Sequence, residues 1–525
     1  NLNGKIDLQG RSQLVQTTES DLEVTSAGLI ERDQQGTTNK FNYNYWSSPV
    51  GPVNTVTNNN DYTLNTVFKD GTNPVSPVNI NWIGGYDSTV GTPINLCRYW
   101  TFKFQNVTND YANWTQVLET GTLAPAQGYT LKGSNAVTLD QNYTFIGKPF
   151  NGTITNPIAA NNLNLSGNPY ASALDASKFI TDNASSLTGT LYFWEHYTTN
   201  STHNLAEYQG GYATRNLTGG VPPVAPALVS GLGSSTRVPG RFIPVGQGFF
   251  VSANATGGTI EFNNSQRAFV KEDDVNSNEM FRNNMVVSNQ NDSYEEIEYE
   301  KIRLGFTSNN NYHRQVLLGF MNNKATNEID YGYDGLLFDE QSNDMFFTNS
   351  NLKLIIQGEG YFNENNIYPL TVTATTTGTV KFMLDGTENF NPSQPIYIHN
   401  SETNYYHDLR DGIYEVSLTA GTHSSTFSLR FKQETLSNEE IEIENGVNII
   451  FTQNNNTLSI KNNLSDTTIQ KIHLFNLLGQ NIETWDVSDE IQQNISVSMD
   501  HFDIGTYIVK TVTTNGDYSK KIIKN

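Results

Sequence analysis

Metal and acid–base chemistry would fall first to the eight histidines: His196, His203, His313, His399, His407, His423, His473 and His501. A zinc-protease helix needs two of them four residues apart with a glutamate between, and no such pair occurs. His399 and His407 stand eight apart, a separation that a strand–turn–strand could close around a metal. A glycosidase needs two carboxylates facing each other across a cleft. The stretch YEEIEYE, residues 294–300, alternates too densely for that and reads as a solvated strand face. DYGYDGLLFDE carries Asp330, Asp334, Asp339 and Glu340, which could wrap a structural calcium ion through carboxylates and carbonyls. It lacks EF-hand spacing, so a loop of Asx turns is the plainer reading. There is no Gly-x-Ser-x-Gly elbow and no phosphate-cradling glycine loop. Cys97 is the only cysteine, so no disulfide forms, and its apolar neighbours place it in a core. Trp46, Trp82, Trp100, Trp114 and Trp194 could stack on sugar rings, although large aromatics also fill β-sandwich interiors. We therefore expect no enzyme, no catalytic centre and no cofactor.

The elements around these residues follow from composition and period. At 525 residues the chain is too long for one core. Hydrophobic residues make up 36% and charged residues only 16%, so Asn, Thr, Ser and Gly supply most of the polar surface. These are weak helix formers, and apolar residues recur with a period of two, so strands should dominate, with at most two short helices. A formal net charge of −22 argues against a nucleic-acid partner, because phosphate binding needs clustered cations. No run of eighteen apolar residues exists, so no transmembrane helix is expected. The chain opens on Asn1 with neither Met nor a leader, and we expect a mature form or a piece of a longer protein.

Five stretches divide the chain. Residues 1–40 show apolar pairs every seven or eight residues (Ile6 and Leu8, Leu14 and Val15, Leu22 and Val24, Leu29 and Ile30), the pattern of a β-solenoid's last rungs. A strand pair belonging to the next domain is the alternative. Residues 41–268 hold aromatic, β-branched strands such as YWTFKF, YTFIGKPF, LYFWEHY and GQGFFVSA, separated by loop chemistry, and read as a β-sandwich with long loops. One short helix is expected at SALDASKFITDN, capped by Ser172 or Asp175 with Phe179 and Ile180 inward. Residues 269–300 are an acidic, Asn-rich junction leading into a first strand, and residues 301–435 form a second sandwich. Residues 436–525 carry seven short strands, the size of an immunoglobulin-like domain. The fold class is all-β: tandem β-sandwich domains, jelly-roll or immunoglobulin-like, preceded by a β-solenoid remnant. We expect the blocks to fold separately, with the acidic junction the most mobile point.

The terminal stretch GTYIVKTVTTNGDYSKKIIKN puts Lys520, Lys521 and Lys524 on the last strand of an otherwise acidic chain. Asn515-Gly516 suits a tight hairpin with positive φ at both turn positions. Together with KIHLFNLLGQNIETW, it resembles the C-terminal sorting domain of type IX secretion cargo in Bacteroidota, in its cleavable class. The resemblance rests on Asn476-Leu477-Leu478-Gly479-Gln480, on the strand motif at Gly505, Tyr507, Val509 and Lys510, and on the closing lysines. It implies that Gly479, Gly505, Tyr507, Lys510, Asn515, Gly516, Lys520, Lys521 and Lys524 form a secretion signal. The hairpin lysines would then be the edge that the outer-membrane translocon contacts; guarding a free edge strand is their plainer use.

Upstream, YNYWSSPV, LSGNPYASALDA, LYFWEH and GQGFFV resemble a segment of large flavobacterial surface proteins, and DYGYDGLLF with FSLRF one found ahead of such sorting domains. Asp87-Ser88-Thr89 and Asp466-Thr467-Thr468 resemble that phylum's short O-glycosylation sequon. These likenesses imply the C-terminal region of an exported surface protein, an adhesin or gliding-motility component able to meet surface glycans. The alternative is the accessory tail, or carbohydrate-binding part, of a secreted polysaccharide-degrading enzyme.

Overall fold

The computed structural model describes residues 1–196, 200–225, 230–231, 233, 235–272, 299–433, 446–464, 467–488 and 494–524. The chain divides into two compact units, Asn1–Gln433 and Glu434–Asn525. Strands dominate both. Among the described residues the only α-helices are Leu64–Val67 and Ala176–Asp182. The second is the helix expected from the sequence: the Asp175 side chain accepts from the backbone N–H groups of Ser177 and Lys178, and Phe179 and Ile180 are buried.

In the first unit, strand Leu29–Thr37 runs beside Asp140–Pro149 in a six-stranded sheet, and Lys5–Leu8 joins it in parallel on the other edge. A five-stranded sheet orders Leu163–Gly167, Gly248–Ala253, Leu187–His196, Gly210–Arg215 and Gly220–Val221. Strand Tyr43–Trp46 shows how period two builds two interiors. Trp46 points into one cluster with Phe68, Tyr143 and Phe145, while its neighbour Tyr45 points into another with Trp194, Tyr208 and Phe250.

The 1–40 stretch is not a separate stack of rungs. Of its four apolar pairs, only the first and last lie in strands, and both lie in the sheet of the 41–268 block. The intervening loop is tied to that block by polar contacts. Arg267 donates to the Leu14 carbonyl (2.6 Å) and Asn264 to those of Thr17 and Ser20 (3.1 and 3.2 Å).

An eleven-stranded sheet occupies residues 300–430. Its path starts at Tyr405–Asp408 and ends at Tyr414–Leu418, yet the Tyr405 and His407 rings lie 5.8 and 5.5 Å from that of Tyr414. Phe382 and Phe427, from strands well apart along the path, pack at 4.8 Å. The sheet has folded over on itself into a sandwich around one apolar core.

This sandwich does not fold apart from the preceding block, contrary to the expectation of separate domains. Val221 is buried in its core. Leu217 N–H donates to the Gly332 carbonyl (2.7 Å), Tyr331 Oη to the Ile180 carbonyl (2.7 Å), and Tyr192 stacks on Phe338 at 4.2 Å. Gly189 and Gly332 make the junction: both have positive φ (84° and 73°), and a Cβ on Gly189 would stand 2.6 Å from the Gly332 Cα. Buried backbone and apolar surface on both sides explain the single unit. Most of the acidic junction, with most of YEEIEYE, lies outside the described residues.

The second unit is a small sandwich of three and four strands. One sheet orders Val447–Thr452, Thr457–Asn462 and Asn494–Ser498; the other orders Asn481–Asp486, Ile469–Asn476, Gly505–Thr513 and Gly516–Lys524. All seven strands read from the sequence are present. Their inward residues, among them Leu458, Ile460, Ile472, Leu474, Ile495, Val509 and Ile522, close a core of their own.

Candidate functional site

The motif residues of the second unit gather on its four-stranded sheet, but they do different work. Gly479 (φ 76°) ends the turn that leaves Ile469–Asn476. Asn476 builds that turn: its Oδ1 accepts from the Leu478 and Gln480 N–H groups, both at 3.0 Å, and its amide donates to Gln480 Oε1 (2.8 Å). Gly505 opens its strand opposite Lys524. Two residues on, Tyr507 is buried and its hydroxyl donates to the Asp503 carbonyl (2.8 Å), a tyrosine corner that pins the strand's start.

The lysines do not form one basic edge. Lys524 is 6% exposed and its ammonium donates to the carbonyls of Met499, Asp500 and Phe502 (2.8, 3.3 and 2.6 Å). It serves as an internal cap that ties the terminal strand to the turn at residues 499–502, sharing the Met499 carbonyl with the Phe502 N–H. Lys510 pairs with Asp517 at 2.8 Å, Lys520 is half-buried, and Lys521 faces solvent. The alternation of a strand sends neighbouring lysines to opposite faces. The hairpin is also not the expected one. Thr513 pairs with Gly516, so Thr514 and Asn515 form the turn, and of the Asn515-Gly516 pair only Gly516 has positive φ (136°). We expect Lys524→Met to lower the stability of this unit by ~1–3 kcal/mol and Tyr507→Phe by ~1 kcal/mol, read as shifts in a denaturant midpoint.

Other sequence candidates fall apart in space. His399 pairs across the ladder with Tyr406, so His407 lies on the opposite face. His399 contacts Asn404 and His407 contacts the Gly412 carbonyl. In the calcium candidate, Asp339 serves Arg314, Glu340 pairs with Lys353, and Asp334 accepts from the Asp330 and Gly358 N–H groups (2.7 and 3.0 Å). No group of three or more metal-ligating side chains forms among the described residues. Cys97 is buried, as are Trp46 and Trp194, while Trp82, Trp100 and Trp114 are half-buried. In the two sequon-like triplets, Ser88 and Thr467 are buried whereas Thr89 and Thr468 stand in solvent, and Asp466 lies outside the described residues.

One cluster was not read from the sequence. The Lys132 ammonium lies 3.7 Å from the Trp100 ring centre and 4.2 Å from that of Tyr43, with Nζ 2.9 Å from His203 Nδ1. His203 Nε2 lies 2.7 Å from Asp87, which also pairs with Lys40 at 2.8 Å. Asp87 accepts the Nε2 proton, so Nδ1 is free to accept from Lys132. Burial pushes Lys132 down to about 7, and the aromatic faces work against that shift. A carboxylate, an imidazole and an amine in line form the geometry of an activated nucleophile. Lys132 is only 3% exposed, however, so the amine is closed off from solvent and clamps three segments together. No local motif marks this cluster, because its members are dispersed over residues 40–203.

Nearby, burial pushes His196 down to about 3, and the Asn200 amide contacts its Nδ1. The unfolded chain takes up that proton near pH 6.5, well before the folded one, so this residue removes stability as pH falls from about 6.5 toward 3. Its neighbour Glu195 acts oppositely: burial raises it to about 7, adding stability as pH falls from 7 toward 4.5. The test is therefore a difference. A His196→Gln protein should lose less of its melting temperature than wild type between pH 6.5 and 4; equal losses would refute the assignment.

No helix among the described residues is long and apolar enough to cross a membrane. The terminal sandwich carries a tight turn and a tyrosine corner at the two ends of its motif. Residues 453–525 match the family described as "Secretion system C-terminal sorting domain". The protein is secretion cargo, exported across the outer membrane to the cell surface or beyond. The chain belongs to the family described as "Domain of unknown function (DUF8693)", whose model matches residues 1–431. No curated protein matches it. Among solved structures, a "Biofilm associated protein - BSP domain" is 9% identical, with 97% of this chain and 95% of that one covered and a TM-score of 0.12. A Salmonella alpha-2-macroglobulin reacted with methylamine is also 9% identical, with 94% and 33% covered and a TM-score of 0.11. At such scores neither likeness carries an argument.

Proposed function

We propose that residues 1–433 are a non-catalytic display module of a cell-surface protein, an adhesin or gliding-motility component, delivered by type IX secretion through the terminal domain. The observation that carries this reading is the address domain itself, joined to a unit whose buried charges are engaged in structure. Arg314 is held by Asp339 and Asp344, Arg32 by Glu272, and Lys132 by aromatic faces. Such groups stabilise a passenger without leaving reactive side chains poised over a cleft. Cells lacking the protein should attach less to a surface or glide less, and re-expression should restore them. Unchanged attachment and motility would remove both roles.

A second reading, glycan binding, is favoured by the exposed rings of Tyr86 and Tyr99 beside Trp100. They meet edge to face (79° and 86°), so they offer a cleft rather than a flat platform. A glycan array probed with the full chain tests it: binding lost on Tyr86→Ala and Tyr99→Ala would support this reading, and a blank array would end it.

A further inference from the structure

The second unit buries or half-buries most of its large apolar side chains, and the exposed ones lie toward one end of a sheet. Among its described residues the large hydrophobics left in solvent are Leu477 (66% exposed), Leu478 (85%), Ile504 (77%), and Ile482 and Ile523 (42% each). The ladder register brings all five to one end of the four-stranded sheet. Asn476 faces Tyr507, Phe475 faces Asn481, Thr506 faces Ile523 and Gly505 faces Lys524. Leu477 and Leu478 therefore lie at the same end as Ile504, with Ile482 and Ile523 on the two outer strands. A small domain gains nothing in folding from exposed apolar side chains gathered at one end, and exposed apolar surface of this kind marks interaction sites.

Most of the motif has a structural account and these residues do not. Asn476, Gly479 and Gln480 hold the turn, Tyr507 pins its strand and Lys524 caps three carbonyls. The turn holds two leucines largely in water, a pre-organised knob whose binding costs little ordering. Charge adds to the choice of partner. Lys524 is consumed internally and Lys510 is paired, while Glu483, Asp503 and Lys521 near the knob carry both signs. Two acids against one lysine leave a weakly negative surface, which fits an apolar cleft rather than an acidic one.

We propose that Leu477, Leu478 and Ile504 form the surface by which this domain docks into an apolar cleft on a protein of the export machinery. The proposal rests on reading the domain as an export address and names the part of it that is read.

The test uses the full chain in its own cells, comparing the Leu477→Asp, Leu478→Asp double variant, the Ile504→Lys variant, a Ser496→Asp control on the other sheet, and a deletion of residues 505–525. Both patch variants should reach the surface at about a tenth of the wild-type level or less, with the purified proteins melting as wild type does and the control exported normally. If the double variant melts lower, the Ile504→Lys protein decides. Patch variants exported normally while the deletion is trapped would overturn the docking surface but leave the address standing. A deletion that is also exported would remove both. Wild type sedimenting as a dimer, with monomeric patch variants exported normally, would give the knob to a second copy of the chain and likewise overturn the proposal.

Discussion

Deleting residues 505–525 is expected to abolish surface delivery while leaving residues 1–433 folded. The deletion removes two of the four strands of one sheet, and with them Tyr507, Val509 and Ile522 from a core assembled wholly within the second unit. That small sandwich cannot close without them, since half of one layer is gone and Ile472 and Leu474 lose their cover. The cores of the first unit draw on no residue beyond Phe431. Cell fractionation should find the truncated protein in the periplasm, and limited proteolysis should find its first unit as resistant as in wild type. Surface delivery at wild-type levels would sink the prediction.

Arg314→Met is expected to be the most damaging single substitution in the first unit, at ~3–5 kcal/mol. Arg314 is fully buried and donates to both Asp344 oxygens (2.7 and 2.9 Å) and to the side chain and carbonyl of Asp339 (3.2 and 3.0 Å). A methionine fills much of the space but leaves two carboxylates in an apolar interior with no counter-charge. Burial already raises Asp339 to about 6, with Arg314 opposing the shift. Without the arginine its folded pKa climbs further above the unfolded value near 3.9, so the variant should lose more stability at pH 8 than at pH 5. Guanidinium unfolding at the two pH values would check both the size and the sign. A loss under ~1 kcal/mol, independent of pH, would show that the buried charges are not coupled as drawn.

These effects were legible to different degrees. Strand identity was readable wherever apolar residues kept a period of two, as in Thr457–Asn462 and Gly505–Thr513, because each has one face in a core and one nearer water. The helix at Ala176–Asp182 was readable from its cap, since Asp175 satisfies two N–H groups that the helix itself cannot. The export motif was readable because its glycines and tyrosine act locally, at a turn and a corner.

What the sequence determined by itself was therefore local: all-β character, the strands with one dry face, the cap, and an address spelled out in consecutive residues. Tertiary structure alone decided everything that depended on register or on distant partners. It turned His399 and His407 to opposite faces, because the pairing offset is set by a whole ladder rather than by eight residues. It drew Lys524 inward, because a turn more than twenty residues away presents three carbonyls to its ammonium. It joined Asp87, Lys132 and His203 into one cluster and tied residues 216–221 to the following sandwich. A strand records which of its residues are apolar, but not which other strand will cover them. That choice comes from burying all the faces at once.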